Sequence, residues 1–223
     1  MTERPVFPGR RFAAFLFDMD GTVLTSIASA ERVWSRWAAA HGLDVATFLP
    51  TIHGVRTVET IARLGLPGVD PQEEADAIMR AEMADVADID PIAGAAAFLA
   101  ALPRERWAIV TSAPRKLAEC RLAAAGLPPP PLMVAAEDVA RGKPAPDCFQ
   151  LAADKLGVSA VDCLVFEDAP AGIAAAEAAG AAVLVITATH TKAIATPHPT
   201  RAGYEGLASR CDPDGRLELV PVA

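Results

Sequence analysis

Two aspartates close a hydrophobic run in FLFDMDGTVLTS, residues 15–26. Asp18 and Asp20 follow Phe17 directly, with Gly21 and Thr22 behind them. Carboxylates that close together repel, so a chain that ends a buried strand on them needs a cation between them. Two further stretches leave groups of matching chemistry. CLVFED, residues 163–168, ends on Glu167 and Asp168, and RGKPAPD, residues 141–147, carries Lys143. Thr111 and Ser112 add hydroxyls after WAIV. Carboxylates crowded with an ammonium suit a hard divalent ion beside a phosphate. Mg²⁺ takes oxygen ligands, commonly one or two carboxylates with waters and phosphate oxygens.

Elements that gather these groups are visible as apolar runs. AAFLF (13–17), WAIVT (107–111), LMVAA (132–136), CLVFE (163–167) and AVLVI (182–186) are continuous rather than alternating. Strands covered on both faces of a parallel sheet read this way. Between the later runs lie RKLAECRLAAAG, PDCFQLAADKLG and AGIAAAEAAG, each a helical stretch closed by glycine, the preferred residue after a helix. The alternation predicts an α/β fold with a doubly wound parallel sheet. Ligands of such sheets bind at the carboxyl ends of the strands, where Asp18, Thr111, Ser112, Glu167 and Asp168 all fall. A final run, RLELV (216–220), is expected to add an edge strand.

The interval between the first two strands is too long for one crossover. Residues 26–90 read as helices (SIASAERVWSRWAAAHG, TVETIARLG, PQEEADAIMRAEMADVA), which predicts an inserted all-α cap over residues 25–90. The α/β core then comprises residues 1–24 and 91–223, with hinges near 22–26 and 88–93. PIAGAAAFLAALP, from Pro91, is the delayed crossover helix.

Composition bounds the partners. The chain has 223 residues, 52% of them hydrophobic, and a formal net charge of −8. That balance, without a basic run, argues against nucleic acid as a partner. It also means that a site for an anion must bring its own positive charge. The four cysteines, Cys120, Cys148, Cys163 and Cys211, form no CxxC pair. They predict neither disulfides nor zinc, and fit reduced thiols in a cytoplasmic protein. Residues 171–188 are nearly long enough to span a bilayer, but Glu177 and Gly180 interrupt them. A short helix and a buried strand are expected there, and no membrane partner. Size and composition leave a monomer or a small homo-oligomer open.

Taken in order, DMDGT (18–22), TS (111–112), GKP (142–144) and FEDAPAG (166–172) resemble the four motifs of the haloacid dehalogenase superfamily of phosphatases with a helical cap. AERVWSRWAAAHGL and HGVR (53–56) bring the chain nearest the sugar-phosphate and polyol-phosphate phosphatases of that superfamily, those of the glycerol-3-phosphate and 2-deoxyglucose-6-phosphate type. The resemblance covers nearly the whole chain. It implies a Mg²⁺-dependent hydrolase of a small phosphomonoester. Asp18 is then the nucleophile that forms an aspartyl-phosphate, and Asp20 the general acid and base. Thr111 and Ser112 hold phosphoryl oxygens, Lys143 neutralises charge, and Asp18, Asp20 and Asp168 hold the metal. Glu167 is either a fourth ligand or a partner behind them. His53 and Arg56, in a cap loop, are candidate substrate contacts, whereas Trp34 and Trp37 read as cap core. His41, His190 and His198 suggest no role. A β-phosphoglucomutase-type mutase shares all four motifs and the cap, and a non-catalytic phosphate-binding protein on the same scaffold is the remaining alternative.

Overall fold

A computed structural model describes residues 6–222. Five of the apolar runs become β1 (Ala14–Phe17), β2 (Trp107–Val110), β3 (Met133–Val134), β4 (Cys163–Glu167) and β5 (Ala182–Ile186). With β6 (Thr200–Arg201) they form one parallel sheet in the order β3-β2-β1-β4-β5-β6. All residues of the first five strands are buried, which is why their sequences do not alternate. Alternation appears instead in which way the side chains point. Phe15 and Phe17 join Phe98, Trp107 and Phe166 on one face, while Ala14, Leu16 and Val165 join Phe149 and Ile173 on the other. The Phe17 and Phe166 rings stack at 4.4 Å across β1 and β4.

Register sets the site. Phe17 pairs with Phe166 on one side and Ile109 on the other. The Asp18 N–H donates to the Phe166 carbonyl at 2.9 Å. Asp18 thus leaves the sheet level with Glu167, at the centre of the strand order.

Four helices intervene between β1 and the crossover: α1 (Ile27–Ala40), α2 (Val45–Phe48), α3 (Thr57–Leu64) and α4 (Pro71–Ala84). They share a hydrophobic cluster of their own around Val33, Trp34, Trp37, Phe48, Ile61 and Ile78. The start of α4 is written in its residues. Asp70 accepts from the Gln72 and Glu73 N–H groups, and Pro71 opens the first turn. The chain returns through α5 (Ala95–Ala100), and α6 (Arg115–Ala124), α7 (Asp147–Lys155) and α8 (Pro170–Ala178) complete the core layers.

One expectation about the C-terminal part is corrected. RLELV does not extend the main sheet. Its residues form β8 (Leu217–Pro221), antiparallel to β7 (Leu207–Cys211) in a separate two-stranded ribbon. Only Leu217 and Leu219 are buried there, so the run packs one face on the core and gains a hairpin partner. The sheet edge is instead the two-residue β6. Residues 171–188 divide into α8 and β5 as expected, and among the described residues no helix is long and apolar enough to cross a membrane. The four cysteines are free.

Candidate active site

Lys143 is the hub of the sheet-end cluster. Its ammonium, 1% exposed, donates to Asp18 Oδ1 at 2.6 Å, to Glu167 Oε1 at 2.8 Å and to the Val110 carbonyl at 3.1 Å. Burial alone would lower its pKa, but Asp18 and Glu167 more than offset that and hold it above its ordinary value. Glu167 is committed on both oxygens, since Oε2 accepts from the N–H groups of Asp168 and Ala169 at 2.7 and 2.8 Å. Thr22 donates to Asp168 Oδ1 at 3.1 Å and sets the rotation of that carboxylate.

Glycines make the crowding possible at two points. Gly21 has φ +88°, and a Cβ there would lie 2.1 Å from Asp168 Oδ2. A Cβ on Gly172 would lie 1.5 Å from Glu167 Oε1. These glycines of the DMDGT and FEDAPAG motifs are therefore the floor under two carboxylates, as well as turn and helix residues.

Asp18, Glu167 and Asp168 bring carboxylate oxygens within 4.8 Å of one another, all buried. Burial pushes Asp18 up to about 8, with Glu167 and Asp20 adding to the shift and Lys143 opposing it. Asp168 is raised well above the usual carboxylate range for the same first reason, with Glu167 and Asp18 adding. One ammonium leaves this trio short of positive charge, and a hard divalent cation fits the deficit. Asp18 and Asp168 each keep an oxygen outside the hydrogen bonds named above. Glu167 anchors Lys143 through Oε1, which keeps a lone pair towards the other two carboxylates. Asp20 lies outside the trio, so three of the four carboxylates expected around one ion are brought together.

The Asp20 carboxylate faces the cap. Its Oδ1 accepts from Ser26 Oγ at 2.6 Å and from Arg121 Nη1 at 2.9 Å. Arg121 lies on α6 and its other arm reaches Glu82 Oε1 on α4, at 3.3 Å. A cavity of about 70 Å³ lies between core and cap, bordered by Asp18, Asp20, His53, Ser112, Arg121 and Asp168, with Trp34 and Glu82 on its cap side. Trp34 therefore serves both the cap cluster and the cavity wall. Trp37 is turned into the cap, where its indole donates to Glu74 at 2.8 Å.

Ser112 uses its hydroxyl to tie core to cap, donating to the Gly54 carbonyl at 2.9 Å. It does not cap α6, whose first turn follows Pro114. His53 borders the cavity with Glu31 Oε1 3.4 Å from its Nε2. His190, for which the sequence suggested no role, lies with Nε2 2.9 Å from the Asp168 carbonyl.

Arg56 is not on the cavity wall. It reaches down to the loop after β3, donating to the carbonyls of Ala136 and Val139 at 3.2 Å each and of Ala140 at 2.9 Å, and pairs with Glu59. In this arrangement it fastens the cap loop to the core. Arg56→Ala is therefore expected to lower kcat/KM by about ten- to a hundredfold, the cost of roughly 1.5–3 kcal/mol for lost charge-assisted hydrogen bonds. The loss should be the same for a sugar or polyol phosphate and for p-nitrophenyl phosphate. A loss confined to the sugar or polyol ester would show instead that Arg56 turns inward onto substrate hydroxyls.

Against this geometry, the model of the haloacid dehalogenase-like hydrolases matches residues 12–180. The chain belongs to that family. Hexitol phosphatase A of Escherichia coli is 40% identical over 182 residues, covering 80% of this chain and 84% of the relative. 2-Deoxyglucose-6-phosphate phosphatase 2 of Saccharomyces cerevisiae is 32% identical, covering 80% and 81%. The crystal structure of a hydrolase from Pseudomonas syringae aligns with a TM-score of 0.68 at 26% identity, over 79% of this chain and 84% of that one. For a member of this hydrolase family, the matched span includes every strand-end group of the site and the whole helical insert.

Proposed function

We propose that this hydrolase is a Mg²⁺-dependent phosphatase of a small sugar or polyol phosphate, working through an aspartyl-phosphate on Asp18. The observation that carries the reading is the division of labour between the two aspartates. Asp18 is bound by Lys143 within the carboxylate trio, while Asp20 is held apart from it by Ser26 and Arg121 on the same cavity. The similarity to named sugar and polyol phosphatases supports the same reading.

The residues would work as follows. An Asp18 oxygen attacks phosphorus while the bond from phosphorus to the alcohol oxygen breaks. Asp20 delivers its proton to that oxygen, so the leaving group departs as a neutral alcohol. Asp20, now ionised, takes a proton from water, whose oxygen attacks the phosphorus of the acyl phosphate. Phosphate leaves and Asp18 is restored. Lys143 holds Asp18 in line throughout, and Glu167 holds Lys143. With the Ser112 hydroxyl donating to Gly54, the Ser112 backbone N–H would take the role of meeting phosphoryl oxygens. Asp18 and Asp168 would hold Mg²⁺, which would supply charge neutralisation for the transferring group. Residues 25–90 act as a cap that opens to admit substrate and closes to exclude water.

The cavity favours phosphatase over mutase. Among the described residues bordering it, the basic side chains are Arg121, paired with Asp20 and Glu82, and His53, facing Glu31. A mutase must seat a second phosphate, which would meet no uncompensated cation there. A neutral polyol meets hydrogen-bonding groups and the Trp34 ring. Phosphate release from a panel of sugar phosphates, polyol phosphates and bisphosphates, with Mg²⁺ or with EDTA, tests the reading. Mg²⁺-dependent release from uncharged polyol esters supports it. Full activity in EDTA, or isomerised sugar phosphate as the main product, contradicts it.

Metal binding should also show as stability. A carboxyl whose folded pKa is raised keeps its proton in the fold while the unfolded chain loses it, so stability falls as pH rises from about 4 towards 8. An ion that binds the ionised carboxylates reverses that loss. Mg²⁺ at a hundred times its Kd contributes about 2.7 kcal/mol, or roughly 5–10 °C in Tm for a chain of this size. The rise in Tm should be larger at pH 8 than at pH 5.5. An equal rise at both pH values would place the ion elsewhere.

A further inference from the structure

We propose that Arg121 is a positioning residue that aims the Asp20 carboxylate, and that Glu82 makes this aim depend on closure of the cap. The inference rests on the phosphatase reading above and concerns how its acid is controlled.

Arg121 and Glu82 stand where apolar residues belong. Arg121 falls one turn after Leu117 and beside Ala118 and Leu122 on the buried stripe of α6. Glu82 continues the stripe of Ala75 and Ile78 on α4. They are 5% and 3% exposed. An apolar pair of similar volume at such positions is often as stable or more stable than a buried ion pair. The charges are therefore better explained by what they touch than by stability. Arg121 touches Asp20 from the core side through α6, and Glu82 touches Arg121 from the cap side through α4.

Both hydrogen bonds on the Asp20 carboxylate, from Ser26 and from Arg121, fall on Oδ1. They pin its rotation and leave Oδ2 to carry the transferred proton. The guanidinium is a rigid fork that grips a carboxylate through two parallel bonds when nothing competes. Here one arm is occupied by Glu82 and only Nη1 goes to Asp20. When the cap swings away Glu82 leaves with α4, and Arg121 is free to take both Asp20 oxygens. Closure brings Glu82 back, draws off one arm and frees Oδ2. Burial opposes the charge on Arg121, but Asp20 and Glu82 outweigh it and keep the guanidinium firmly protonated. The fork therefore acts by geometry, without a change of its own charge.

The test compares esters that differ in their need for an acid. A hexitol phosphate expels a poor alkoxide, whereas p-nitrophenyl phosphate expels a stable phenolate. Arg121→Met with Glu82→Gln removes both buried charges together and guards against unfolding from an unpaired one, and Glu82→Gln alone keeps the fork but loosens its second partner. Folding is checked by Tm. The double variant is expected to lose about 10- to 100-fold in kcat on the hexitol ester with KM within threefold, and at least about tenfold less on the aryl ester. Glu82→Gln alone should show the same selective loss, smaller in size. Equal losses on both esters, or a change confined to KM, would make the pair a structural or substrate-binding element and overturn the proposal. Parent kcat on both esters in Glu82→Gln overturns the link to the cap. A parent enzyme that releases phosphate from no ester of the panel overturns the phosphatase reading and this inference with it.

Discussion

Asp18→Asn is expected to abolish turnover while leaving the fold in place. The amide matches the carboxylate in shape and can still accept from Lys143, but it is a very poor nucleophile. Loss of a covalent nucleophile commonly costs at least about 10⁴-fold in kcat. Stability should not suffer, because burial already pushes the Asp18 carboxyl towards its neutral form, and Asn removes one negative charge from beside Glu167. The expected pair of results is phosphate release from a hexitol phosphate at least about 10⁴-fold below the parent, with Tm equal or higher. Activity within tenfold of the parent would remove Asp18 from its role.

Asp20→Asn should split the reaction by leaving group. General acid catalysis contributes typically 10²–10⁴-fold, so a hexitol ester should lose about that much in single-turnover transfer to the enzyme. An aryl phosphate needs no proton on its leaving oxygen and should keep most of its first-step rate. Its second step should still be slow, since Asp20 also takes the proton from water. The Ser26 and Arg121 contacts can persist with the Asn side-chain oxygen, so the change tests proton transfer rather than folding. Equal losses for both esters in the first step would argue against the acid role.

The strand-end groups were legible because two rules act together on them. Continuous apolar runs mark buried parallel strands, and such sheets gather function at their carboxyl ends. Asp18, Lys143, Glu167 and Asp168 meet where those rules place them. The helices between β1 and the crossover were legible for a similar reason, since α1, α3 and α4 begin or end within a residue or a few of the stretches read as helical. Direction was harder. Arg56 sits in the loop expected to face substrate, yet its side chain crosses to the backbone at 136–140, and no pattern in HGVR distinguishes the two. Glu167 reads from the sequence as a ligand or an anchor, and the structure shows it anchoring Lys143 within the carboxylate trio.

Arg121 and Glu82 were missed for a different reason. A charge inside a helical stretch is ordinarily solvated, and neither residue stands out by itself in the sequence. The signal was present in their spacing: each occupies a position of the apolar stripe, and the two charges are opposite. Strand β6 offered no signal, since two residues carry no period, and β8 offered a misleading one. Its apolar residues fit an edge strand of the main sheet equally well, and only the β7 partner decides otherwise.

The central claim is that phosphorus passes through Asp18, and one trapping measurement tests it most directly. Asp20→Asn, mixed with Mg²⁺ and an aryl phosphate labelled with ³²P, should release its phenolate quickly and hydrolyse the acyl phosphate slowly. Label is expected to accumulate on the protein towards one equivalent, to be removed by hydroxylamine, and to map to the peptide that contains Asp18. Phenolate release at the parent first-step rate with no label on the protein would mean that water attacks the ester directly, and would contradict the account.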